Sequence, residues 1–84
     1  MKSVEYYTAA WCGPCRQFSP IFEELRSEFP GVEFTKFDID ANAGAAQAAR
    51  ITSVPTIIIK DDGAVLEKFV GVQAKATLEN ALNA

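Results

Sequence analysis

Apolar side chains at Phe18, Ile21, Phe22, Leu25 and Phe29 recur at intervals of 3, 1, 3 and 4 residues, one stripe along a helix. Glu23, Glu24, Arg26 and Glu28 fall mostly outside the stripe, and Pro30-Gly31 ends it. Pro20 interrupts the pattern without shifting its phase. It removes one backbone hydrogen bond, so a kink is expected rather than a stop. Pro14 suits the first helical turn, where the missing N–H has no partner to lose. Upstream, Val4 to Thr8 is rich in β-branched and aromatic residues and reads as a strand ending beside Cys12.

Residues Val32 to Asp38 alternate loosely enough for a second strand, and Asp40 or Asn42 can cap the segment that follows. Ala43 to Arg50 predicts an alanine-rich helix, with Gly44, Ala45, Ala48 and Ala49 letting its backbone approach a sheet. Thr56 to Ile59 and Val65 to Val70 flank Asp61-Asp62-Gly63, the signature of an antiparallel hairpin whose first strand is interior. Leu78, Ala81 and Leu82 give Lys75 to Asn83 the apolar face of a terminal helix. The order strand, helix, strand, helix, hairpin, helix requires a parallel, right-handed crossover between the first two strands. The expected architecture is α/β, a four-stranded mixed sheet with three helices on its two faces.

At 84 residues, with 49% hydrophobic and 23% charged side chains, one domain over residues 1–84 is expected. The net charge of −3 is interspersed and no Lys/Arg cluster occurs, which argues against nucleic acid or an anionic membrane as partner. No apolar run approaches the roughly 20 residues of a membrane span. Glu5 precedes any apolar signal core, so a cytoplasmic location is expected, where disulfides are transient and catalytic. Histidine is absent, which excludes a Cys/His protease or a Cys2His2 zinc site built from this chain.

Both cysteines, Cys12 and Cys15, lie at the strand-to-helix junction as C-x-x-C. They could serve as a staple, a metal clip or a reagent. A ring across two intervening residues recovers little loop entropy, so a staple is a poor use of the pair. Zinc needs four ligands, and two thiolates would require a second copy to complete the site. As a reagent the pair is well placed. Unpaired N–H groups at the helix start favour a thiolate at Cys12, lowering its pKa from a free value of about 8.5, while the deeper Cys15 stays protonated. Cys12 then attacks a substrate disulfide, and Cys15 resolves the mixed disulfide.

Trp11-Cys12-Gly13-Pro14-Cys15 resembles the active-site motif of the thioredoxin family. The likeness extends through Pro20, the run from Lys36 to Asp40, Ser53-Val54-Pro55-Thr56 as a cis-proline loop, the Asp62-Gly63 turn and Gly71. It implies a dithiol oxidoreductase with Cys12 as nucleophile and Cys15 as resolving thiol. It also implies a substrate patch of Trp11, Gly13, Pro14, Val54, Pro55, Gly71 and Val72. A cis bond at Pro55 would turn the preceding backbone groups outward to pair with an extended peptide.

The resemblance implies no bound cofactor, a monomer, disulfide-containing client proteins and a separate thioredoxin reductase as electron supply. Three departures stand out: the first strand and helix of full-length thioredoxins are missing; Tyr6 occupies the place of a buried aspartate; and the opening strand resembles glutaredoxins. A phenol is a poor base near neutrality, so Tyr6 and Lys36 become the residues expected to tune Cys15. The rival readings are a glutathione-dependent, glutaredoxin-like enzyme and a non-catalytic binding subunit, including a dimer bridging an iron–sulfur cluster through Cys12. Against glutaredoxin, Gly13-Pro14 replaces Pro-Tyr and Val72 stands where a second glycine is usual.

Overall fold

The alternation of Val4 and Tyr6 with Glu5 and Tyr7 divides strand β1 (Lys2–Thr8) between two faces of a sheet, and the computed structural model, which describes residues 1–84, builds the chain around that division. After β1 come α1 (Gly13–Glu28), β2 (Glu33–Asp38), α2 (Ala43–Ala48), β3 (Thr56–Asp61), β4 (Ala64–Val70) and α3 (Lys75–Asn83). The strand order is β2-β1-β3-β4, with β1 parallel to β2 and antiparallel to β3, and β3 antiparallel to β4. The expected mixed sheet of four strands with three helices is therefore present, and β3 is interior.

On one face Val4 and Tyr6 of β1 and Ile57 and Ile59 of β3 meet Phe18, Phe22 and Leu25 of α1 and Leu78 and Leu82 of α3. The stripe read along α1 is the one that is buried, and the helix continues through Pro20. Each of these apolar side chains contributes roughly 1.5 to 3 kcal/mol on burial, which makes this the larger of the two sheet-face cores. On the opposite face Tyr7 and Ile58 pack with Ala46 of α2, and Tyr7 stacks on Phe37 at a centroid distance of 4.9 Å.

Helix α2 corrects two expectations. It ends at Ala48 rather than Arg50, because Arg50 takes a left-handed φ of 56°. The N–H of Arg50 donates to the Gln47 carbonyl and that of Ile51 to Ala46, the paired bonds of a Schellman stop. Gly44 and Ala48 face outward instead of approaching the sheet. A Cβ on Gly44 would meet nothing within 4 Å, whereas Ala46 is buried and Ala45 and Ala49 are half-buried. Asn42 holds the N-cap position without bonding the helix through its side chain, which donates to the Asp38 carbonyl instead.

The hairpin turn is Asp62-Gly63, with φ of 51° and 86°, the two positive angles that a two-residue turn between twisted strands needs. No helix is long and apolar enough to cross a membrane.

Candidate active site

β1 stops at Thr8, and the chain turns through Ala9 to Trp11 before α1 begins. The N–H of Cys12 donates to the Ala9 carbonyl at 3.1 Å, closing that turn. Cys12 is the N-cap of α1, with extended backbone at φ −87° and ψ 110°. Its Sγ accepts the N–H of Cys15 at 3.2 Å, the place a capping serine oxygen would take. Gly13 and Pro14 form the first turn, where Pro14 has no hydrogen bond to give up. Cys12 and Cys15 are joined as a disulfide, their Cα atoms 5.3 Å apart. Both are buried, Cys15 at 1% exposure and Cys12 at 4%, and they pack with Ala9 beside Ile39 and Val54.

The loop entering β3 closes over the sulfurs. Its Val54–Pro55 peptide is cis, and the Val54 carbonyl oxygen lies 3.7 Å from Cys12 Sγ. In the disulfide that sulfur carries no proton, so this is a contact and not a hydrogen bond. Thr56 Oγ1 donates to the Ser53 carbonyl at 2.7 Å, and the N–H of Gly71 donates to the Pro55 carbonyl at 2.8 Å. Gly71 takes φ 94°, a value a side chain would strain, as β4 turns away. Val54 is thereby brought to the sulfurs, and Gly71 is tied to the same loop through Pro55.

The exposed rim differs from these buried residues. Pro55 is buried and Val54 and Gly71 half-buried, whereas Gly13, Pro14, Val72 and Trp11 are open to solvent, Trp11 at 66% exposure. The indole is held: Nε1 of Trp11 donates to Asp40 Oδ2 at 2.9 Å. Sequence reasoning assigned Asp40 only a capping role. Its position four residues beyond Lys36 was visible, but its pairing with an indole 29 residues earlier was not.

Tyr6 lies fully buried directly beneath α1. Its ring packs on Phe18 and Phe22, each at a centroid distance of 5.0 Å. Its hydroxyl donates to the Cys15 carbonyl at 3.0 Å. Ser19, a residue missed in the sequence, donates to the same carbonyl at 3.0 Å, and its Oγ lies 3.2 Å from the Tyr6 oxygen. Lys36 sits opposite Tyr6 in the β1–β2 register, its Nζ 5.9 Å from the centre of the phenol ring. Between α1 and the ends of β1 and β2 opens a cleft of about 470 Å³, walled by Cys15, Arg16, Ser19, Lys36 and Asp38 among others.

On the far face Tyr7 Oη donates to Glu5 Oε1 at 2.9 Å, and Lys60 pairs with Glu5 at 3.2 Å. Burial, reinforced by the Glu5 hydrogen bond and charge, pushes the Tyr7 pKa up to about 12. No group of three or more His, Cys, Asp or Glu side chains is arranged to hold a metal ion.

Comparison with known proteins agrees with this geometry. The thioredoxin family model matches residues 2–84. Thioredoxin of Chlamydia pneumoniae is 40% identical over 80 residues, covering 95% of this chain and 78% of that protein. Thioredoxin of Fasciola hepatica superposes with a TM-score of 0.90 at 36% identity, covering 98% of this chain and 78% of that one. A third likeness is to a chain solved for the structural basis of the thiol-resolving mechanism in yeast mitochondrial 1-Cys peroxiredoxin via the glutathione and thioredoxin systems. Its TM-score is 0.89 at 30% identity, with 98% of this chain and 76% of that one covered.

Proposed function

The chain belongs to the thioredoxin family and is a thiol–disulfide oxidoreductase, and from that premise we propose that it reduces protein disulfides through a Cys12/Cys15 dithiol cycle recharged by a thioredoxin reductase. The observation that carries the reading is the placement of Cys12 as N-cap of α1 with the Cys15 N–H on its sulfur. That hydrogen bond and the helix dipole stabilise negative charge on Cys12. In the reduced protein Cys12 thiolate attacks one sulfur of a client disulfide and the other client sulfur leaves with the electron pair. Cys15 then attacks Cys12, the client departs as a dithiol, and the Cys12–Cys15 disulfide remains.

Trp11, Gly13, Pro14 and Val72 form the exposed rim that receives the client. Val54, Pro55 and Gly71 support it from beneath, with the Val54 carbonyl beside the reacting sulfur. Tyr6 anchors the Cys15 backbone carbonyl from the sheet, with Lys36 over its ring. The likeness to a chain solved for the thiol-resolving mechanism in yeast mitochondrial 1-Cys peroxiredoxin via the glutathione and thioredoxin systems supports proteins as clients. The enzyme acts as a single monomeric domain in the cytoplasm, where a reducing supply is at hand to recharge it.

The test is turnover of a disulfide protein such as insulin with NADPH and thioredoxin reductase, set against glutathione with its own reductase. Turnover with the first system, abolished in Cys12→Ser, is expected. Turnover with glutathione alone would move the protein to the glutaredoxin-like reading, and clients retained after loss of both cysteines would make it a binding subunit.

A further inference from the structure

Resolution of the mixed disulfide requires Cys15, 1% exposed, to lose a proton, and Tyr6 cannot take it because its hydroxyl donates to the Cys15 carbonyl. Ser19 donates to that same carbonyl. Both hydroxyls are thus committed to the Cys15 backbone carbonyl, and the cleft whose wall includes Cys15 offers its thiol a route to water.

The strand register decides what lines that cleft. Tyr6 pairs with Lys36 and Thr8 with Asp38, and the two-residue period puts all four on the face beneath α1. Asp38 is the only carboxylate in the cleft wall that also contains Cys15. Its Oδ1 accepts the N–H groups of Asp40 at 2.9 Å and Ala41 at 3.4 Å, which fixes the side chain and leaves Oδ2 without a protein donor. The charged groups around it are Arg16 from α1, Lys36 from β2 and the neighbouring Asp40, whose carboxylate is engaged by Trp11. Arg16 donates to the Ala10 carbonyl. The cleft has room for several waters between Cys15 and Asp38.

We propose that Asp38 is the proton acceptor for Cys15, acting through water in the cleft between α1 and the ends of β1 and β2. This rests on the Cys12/Cys15 cycle proposed above. The proton of Cys15 Sγ passes through water to Asp38 Oδ2 as the Cys15 electron pair forms the bond to Cys12 Sγ. The Cys12–client S–S bond breaks, and the client sulfur leaves with its electron pair and is protonated by solvent. Asp38 returns its proton to bulk water through the open cleft.

Stopped-flow reaction of the reduced protein with 5,5′-dithiobis(2-nitrobenzoate) separates the steps. The first nitrothiobenzoate released reports attack by Cys12, and the second reports resolution by Cys15. Asp38→Asn keeps an oxygen to accept the Asp40 and Ala41 N–H groups, so a purely structural role would leave both phases unchanged. The expected result is an unchanged first phase and a second phase slowed about tenfold at pH 7, converging with the parent above about pH 9, where a thiol ionises unaided. Asp38→Glu, which keeps the carboxylate, restores most of the second phase. Superimposed pH profiles for parent and Asp38→Asn overturn the proposal, as does Asp38→Glu falling as far as Asp38→Asn. Absence of a first phase in the parent would instead sink the dithiol cycle, and the Asp38 role with it.

Discussion

The backbone N–H of Cys15 points at Sγ of Cys12 across 3.2 Å, so the resolving residue stabilises the charge on the nucleophile it later attacks. A hydrogen bond to an ionised acceptor is stronger than one to a neutral acceptor, and this donor has no helical carbonyl to satisfy it. Reduced protein treated briefly with iodoacetamide below neutral pH should therefore be labelled at Cys12, with labelling of Cys15 at least about tenfold slower. Peptide mass mapping reads the ratio. Equal labelling, or faster labelling of Cys15, reverses the roles.

The same geometry makes Cys15→Ser a trap. Its backbone N–H and the helix start are retained, so Cys12 still attacks, but no second thiol is present to release the client. Incubation with an oxidised client should give a stable one-to-one mixed disulfide on Cys12, visible by non-reducing electrophoresis and reversed by dithiothreitol. Failure to accumulate it with any disulfide protein would argue for the binding-subunit reading.

Tyr6→Phe tests whether the buried hydroxyl is structural. Ser19 still donates to the Cys15 carbonyl when the phenol is gone, so no acceptor is orphaned. The expected loss is about 0.5 to 1.5 kcal/mol of stability by chemical denaturation, with both phases of disulfide exchange unchanged. A slowed second phase in a fully folded Tyr6→Phe protein would make the hydroxyl a participant in resolution.

What the sequence disclosed and what it withheld divide along a physical line. The stripe from Phe18 to Phe29, the Asp62-Gly63 turn and the Cys12–Cys15 spacing are local, and periodicity or backbone conformation fixes their meaning within a few residues. The approach of Ser19 to Tyr6 and the Asp40 indole contact are not local: they join residues 13 and 29 positions apart that only the folded chain brings together. The end of α2 was hidden for another reason. The left-handed stop usually taken by glycine is taken here by Arg50, which reads as one more good helix former.

Asp40 holds the most exposed aromatic side chain of the rim in place. Asp40→Ala should release the Trp11 indole, lowering its fluorescence anisotropy. KM for a protein client should rise by up to about fivefold, the equivalent of about 1 kcal/mol, while reaction with small disulfides stays unchanged. Unchanged anisotropy would show that packing, and not this hydrogen bond, fixes the indole.

Tyr7 supplies a pH dependence remote from the sulfurs. Its pKa stands at about 12 in the folded protein, raised by burial and then by the Glu5 hydrogen bond and charge, whereas an unfolded phenol ionises near 10. Because folding favours the neutral phenol, the stabilising contribution is complete below about pH 10 and is lost as pH climbs from there through about 12. Stability measured by chemical denaturation should therefore fall over that interval more steeply in the parent than in Tyr7→Phe. Subtracting the two curves isolates the contribution of the Tyr7 phenol. Absorbance should agree, with the tyrosinate band that Tyr7→Phe removes emerging at the high end of the interval while circular dichroism still reports a folded chain. Ionisation of Tyr7 near pH 10 with the fold intact would mean that neither the core beneath α2 nor the Glu5 contact holds the phenol as the structure has it.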